Sequence, residues 1–215
     1  MPTSTRAFAP GPSSTSGTPS PWRLRDDQIE SALETGARAS ELESYFGEAR
    51  YAELRGLARQ AARRDVRGKG PRVLILPGLM GSTLGRRGLL FDDVIWIDPI
   101  DIALGALRKL ALGPAPSRLE ALGALNLVYL KLKLTLRING FDADYFPYDW
   151  RHSPRELGAR LARQIAGERR PVQLVAHSMG GLVARAALRS MLRSEERRVG
   201  KECLRQCRSR WSPYH

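Results

Sequence analysis

Two short stretches, "RVLILPG" at residues 72–78 and "VQLVA" at residues 172–176, are apolar almost without interruption, and each runs straight into a tight turn. A strand with one wet face alternates apolar and polar residues. An unbroken short apolar run is what a strand covered on both faces requires. Between them lie a third strand-like segment inside "FDADYFPYDW" (141–150) and a helix announced by Ser153, Pro154 and Glu156. Those three residues read as a capping box with proline at the first helical position, followed by Leu157, Leu161 and Ile165 as a buried face. Strands alternating with helices imply an α/β fold, a mostly parallel sheet flanked by helices.

The rest of the chain is placed around that frame. Residues 27–64 read as helix, with Ile29, Leu33, Tyr45 and Phe46 at helical spacing and Gly47 as a break. Tyr51, Leu54, Leu57, Ala58 and Ala61 line one face of a second helix. "VIWIDP" (94–99) reads as a strand or an extended segment. Residues 100–125 read as helical with a loop at "GPAPS". "YLKLKLTLRI" alternates with period 2, yet its place before another strand favours a crossover helix, and helix is the assignment.

With 215 residues the chain can bury one sizeable core. Its net charge of +13 invites a nucleic-acid reading. The cations are mostly Arg spread along the chain, many beside Glu or Asp, with no stripe interleaved with aromatics. No nucleic-acid partner is expected, and a solvated basic surface with peripheral contact to anionic membrane lipid fits better. No stretch reaches the ~18 apolar residues of a membrane span. The first 22 residues, rich in Pro, Ser, Thr and Gly, lack the apolar centre of a secretory signal and read as a disordered lead-in. A cytoplasmic or membrane-peripheral location is the expectation. No cofactor is expected, and no cluster with ligand spacing suggests a metal.

From Arg193 onward the character changes. "RSEERRVGKECLRQCRSRWSPYH" has no apolar periodicity and holds both cysteines, Cys203 and Cys207, with seven cations against three acids. It resembles the translated product of a sequencing-library adapter. The expected organisation is a lead-in (1–22), an N-terminal helical segment (23–66), a partial α/β domain (71–192) and a non-native tail (193–215), with the chain stopping before the fold is complete.

"VAHSMGGLVAR" carries the chemistry. A nucleophile held on a sharp strand–helix corner needs small residues two before and two after it. Ala176 and Gly180 occupy those places around Ser178, and Gly181 is expected to let the new helix approach the sheet. Acyl transfer through a serine also needs two preorganised N–H donors for the tetrahedral oxyanion. One would come from Met179, and the other from the glycine-containing loop "PGLMGS" (77–82) after the first strand.

"VLILPGLMGSTLG", "IWIDP", "FPYDWR" and "VAHSMGGLVAR" together resemble the lecithin:cholesterol acyltransferase family of α/β-hydrolases, over roughly residues 72–192. The resemblance implies a serine acyl-enzyme acting on lipid esters. Ser178 would be the nucleophile, and Met80 and Met179 the oxyanion N–H donors. Asp149 and Arg151 would form a structural pair. His177, next to the serine, is poorly placed to act as its base, His152 reads as a solvated loop residue, and His215 lies in the tail. The acid and histidine follow the serine in this fold, and nothing after Ser178 fills either role, so the polypeptide as written is expected to be inactive. A carboxylesterase of the same fold and a binding protein on a dead hydrolase fold are the alternatives.

Overall fold

The computed structural model describes residues 20–88, 92–96, 110–111 and 119–193. Expectations for the lead-in before residue 20, the tail from 194, and 97–109 and 112–118 lie outside the described residues.

Three helices open the fold: α1 (Asp26–Thr35), α2 (Ala39–Phe46) and α3 (Glu48–Arg64). Gly47 separates α2 from α3 as the sequence suggests. A second break falls at Gly36, whose φ of 83° gives α1 a left-handed cap. Ile29, Leu33, Leu42, Tyr51, Leu54, Ala58 and Ala61 join these helices in one apolar cluster.

Strand β1 (Arg72–Leu76) is the centre of a parallel sheet in the order β5-β1-β6, with β5 at Asp142–Tyr145 and β6 at Val172–Ala176. Val73 to Leu76 are at most 1% exposed, as an unbroken apolar run requires. β6 differs from its expected full burial. It is the edge of the described sheet, so its side chains are covered from one side only and stay half-exposed.

A second sheet was not expected. β2 (Ser82–Arg86), β3 (Asp93–Trp96) and β4 (Glu120–Ala124) pair antiparallel in the order β3-β2-β4. The helical reading of residues 100–125 therefore fails at 120–124. "EALGA" favours helix locally, but hydrogen bonding to β2 overrides so short a preference.

Helix α4 (Asn126–Ile138) resolves the alternating "YLKLKLTLRI". It buries Tyr129, Leu130, Lys133, Leu134 and Arg137, a helical spacing. Its Tyr129 packs on the parallel sheet with Val73, Ile75, Ala143 and Tyr145, while Leu130 and Leu134 join the N-terminal helices. On the other sheet face, α5 (Pro154–Gly167) and the helical residues 179–193, α6, cover Leu74, Leu76, Phe146 and Tyr148 through Leu157, Leu161, Val183 and Ala187. Ser153 caps α5 as expected, its hydroxyl accepting from the Glu156 N–H at 3.3 Å.

Candidate active site

At the carboxyl end of β6 the chain makes one sharp turn. The His177 N–H still donates to the Leu76 carbonyl across the sheet at 3.1 Å. Ser178 then takes φ 51°, a left-handed conformation that a residue with a Cβ adopts only when its surroundings enforce it. Gly180 and Gly181 donate back to His177 and Ser178 at 2.9 Å, starting α6 at once. Ser178 is exposed at this corner, and its hydroxyl has no hydrogen-bond partner among the described residues.

The small residues around the serine divide differently from expectation. A Cβ on Gly180 would come 2.6 Å from the Leu76 carbonyl oxygen and 2.7 Å from that of Pro77, so only glycine fits there. A Cβ on Gly181 would meet nothing within 4 Å. The close approach of α6 to the sheet therefore rests on Gly180, and Gly181 points into open space.

Opposite the serine lies the loop that follows β1. A Cβ on Gly78 would stand 3.2 Å from Ser178 Cβ, so the loop and the corner are in contact. The loop is tied at nearly every carbonyl. Tyr148 Oη donates to the Pro77 oxygen, the Gly81 N–H to the Gly78 oxygen at 3.0 Å, and Trp96 Nε1 to the Met80 oxygen at 2.9 Å. The Leu125 N–H donates to the Gly81 oxygen at 2.9 Å, and Trp150 Nε1 to the Ser82 oxygen at 3.2 Å. Met80 sits in this tied loop at φ 59°. Its N–H, like that of Met179 at the start of α6, has no acceptor among the described residues. Leu79 and Met80 expose their side chains beside the serine, at 58% and 45%.

"FPYDWR" thus holds the loop. Tyr148 and Trp150 are its donors. Burial, with the nearby Tyr129 adding to it, pushes the Tyr148 hydroxyl up to about 12, so it stays a donor. Asp149 and Arg151 form the expected structural pair, at 2.8 Å and 2.6 Å. Burial pulls the Asp149 carboxyl upward, but the Arg151 hydrogen bonds and charge and His152 outweigh it and hold the group below its ordinary value.

Neither described histidine hydrogen-bonds to the serine hydroxyl. His152 is half-exposed, 3.5 Å from Asp149 and 3.7 Å from Glu156. His177 turns its Nδ1 to Tyr129 Oη at 2.9 Å. No Asp, Glu or His occurs in the described residues after Ser178. Among the described residues no group of three or more His, Cys, Asp or Glu side chains could hold a metal, and no helix is long and apolar enough to cross a membrane. Sequence reasoning missed Tyr129 and the donor roles of Tyr148, Trp96 and Trp150, whose partners are remote in the chain.

No curated protein and no solved structure matches the chain. Residues 117–204 match the family model described as lecithin:cholesterol acyltransferase, a span that contains "FPYDWR" and the serine corner and stops short of the β1 loop. The parallel sheet with helices on both faces agrees with the α/β-hydrolase fold of that family, and over residues 117–204 the chain is similar to the lecithin:cholesterol acyltransferase family.

Proposed function

We propose that the chain carries the nucleophile half of a serine acyl-transfer site for lipid esters. Ser178 would attack the ester carbonyl and hold the acyl group, and the N–H groups of Met80 and Met179 would receive the oxyanion. The observation that carries this is the φ of 51° at Ser178, set against a tied loop whose Met80 N–H is unengaged. Strain of this kind is retained where it aims a group, and an exposed serine has no packing reason for it. Leu79 and Met80, exposed at the same place, suit an acyl chain more than a small soluble ester.

The serine has neither base nor orienting acid in contact among the described residues. Turnover by the 215-residue polypeptide should therefore be slow, at the level that an oxyanion site alone supports, roughly 10³-fold over water. The partner is a lipid ester, and the basic surface adds peripheral contact with anionic membrane. Arg155, Arg185 and Arg189 line a groove of about 850 Å³ between α5 and α6 together with Leu182, an arrangement suited to anionic headgroups.

A fluorophosphonate carrying a long alkyl chain tests the nucleophile. Slow covalent labelling at Ser178, located by peptide mass spectrometry and lost in Ser178→Ala, supports the reading. Absence of labelling at Ser178 after prolonged exposure, with the fold intact, removes it.

A further inference from the structure

The peptide unit joining Pro77 to Gly78 is gripped from both sides by buried phenols. Tyr148 Oη donates to its carbonyl oxygen, and Tyr129 Oη accepts from its N–H at 2.8 Å. Both tyrosines are buried, at 0% and 5% exposure. Tyr129 has a second partner, His177 Nδ1 at 2.9 Å, the residue immediately before Ser178.

The Gly78 end of this chain has a fixed direction. The Gly78 N–H can only donate, so the phenol oxygen accepts. Donation of its hydroxyl hydrogen to His177 Nδ1 completes the relay, and an imidazole that accepts at Nδ1 carries its proton on Nε2, the tautomer that the test below reads. One phenol therefore couples the loop bearing the Met80 N–H to the corner bearing Ser178 and the Met179 N–H. Neighbouring glycines show how closely the parts meet. A Cβ on Gly81 would lie 2.8 Å from Tyr129 Oη, and one on Gly78 would lie 2.9 Å from His177 Nδ1.

We infer that Tyr129 is a positioning residue for the acyl-transfer site, setting the spacing between its two oxyanion donors through the relay Gly78 N–H to Tyr129 to His177. The inference rests on the reading of Ser178 as nucleophile. Tyr129 touches no substrate. It acts by holding two backbone segments whose N–H groups must converge on one oxygen, and such donors work only within a few tenths of an ångström.

The test follows the rate of Ser178 labelling by the fluorophosphonate in the full chain, with ¹⁵N shifts of the His177 imidazole alongside. Tyr129→Phe should label at least about ten-fold more slowly at saturating reagent, with the reagent's apparent affinity little changed, because the donors are displaced rather than the binding surface. The Nε2–H tautomer signature of His177 should be lost together with the rate. His177→Leu, a change at an exposed residue that leaves the buried phenol in place, serves where Tyr129→Phe disturbs folding. It should slow labelling in the same direction, and the double variant should lose little more than Tyr129→Phe alone, as members of one relay do. Labelling of Tyr129→Phe at the wild-type rate, or fully additive losses, overturns the relay while leaving the nucleophile reading intact. No labelling of the wild-type chain overturns both.

Discussion

Gly180 lies against the backbone of Pro77, and a methyl group on its Cα would stand 2.7 Å from the Pro77 carbonyl oxygen. That oxygen cannot retreat, since Tyr148 holds it from the other side. The first turn of α6 and the β1 loop are thus locked at one point of contact.

Gly180→Ala should accordingly destabilise the fold by about 1–3 kcal/mol, the ordinary range for overpacking against a rigid wall. Gly181→Ala should be neutral or stabilising by up to about 1 kcal/mol, since its Cβ meets nothing and alanine favours helix. Urea unfolding of the two variants measures the contrast. Equal losses at both positions would mean that α6 does not start where it is drawn.

Ser178 holds a left-handed backbone at a cost that glycine would not bear. Relief of that strain, about 1–2 kcal/mol, exceeds the entropy that a new glycine adds to the unfolded chain. Ser178→Gly is expected to gain roughly 0.5–1 kcal/mol, raising the melting temperature by a few degrees, while fluorophosphonate labelling disappears. Stability rising as reactivity vanishes marks a position kept for chemistry. A destabilised Ser178→Gly would show that the serine side chain supports the turn.

What the sequence disclosed follows the range of the interactions involved. β1, β6, the Ser153 cap and the turn at Ser178 rest on neighbours a few residues apart, so pattern and residue size reveal them. β4 stayed hidden because "EALGA" becomes a strand only through pairing with β2, some forty residues earlier. Gly36 was overlooked since nothing apolar changes around it. In the site, the serine corner was legible, but the tyrosines that grip Pro77 and Gly78 act from positions 51 and 71 residues away. No local pattern marks a tyrosine as a backbone clamp. Gly181 was misjudged for the opposite reason: two adjacent glycines look alike in sequence, and only three dimensions tell which one meets a wall.

Glu30 offers a test of the contact between the N-terminal helices and α4. Its carboxylate meets Lys133 Nζ at 2.7 Å and Arg137 of α4, all three side chains nearly inaccessible, and Arg67 at 2.7 Å from a largely exposed position. Burial pulls the Glu30 carboxyl upward, but Lys133, Arg137 and Arg67 outweigh it and leave it below its ordinary value. Glu30→Gln leaves the buried Arg137 without a carboxylate and Lys133 with Asp144 alone, at 2.8 Å, and should cost about 3–5 kcal/mol, whereas Arg67→Ala removes an exposed partner and should cost no more than about 1 kcal/mol. Urea midpoints decide, and similar small losses for both would mean that solvent reaches the cluster.

Asp26 gives the same contact a pH dependence of opposite sign. Its carboxylate accepts from Asn126 Nδ2 at 2.7 Å and from the Ala124 N–H at 3.3 Å. Removal from water pushes its pKa from 3.8 up to about 6, against the pull of Lys133 and these hydrogen bonds. The folded state therefore holds this proton more tightly than the unfolded chain does. The resulting stability is complete below about 3.8 and is lost as pH rises through about 6, a swing of at most about 3 kcal/mol before allowance for partial exposure. Glu30, Asp144 and Asp149 are shifted down, so their contributions vanish only at pH values below the range in which Asp26 titrates. Over that range wild-type stability should fall as pH rises. Asp26→Asn keeps an acceptor for one of the two donors and never ionises, so its profile should be flatter whatever its absolute stability. Unfolding free energies from urea titrations across that interval measure both slopes, and parallel profiles would show that Asp26 is open to water in the folded protein.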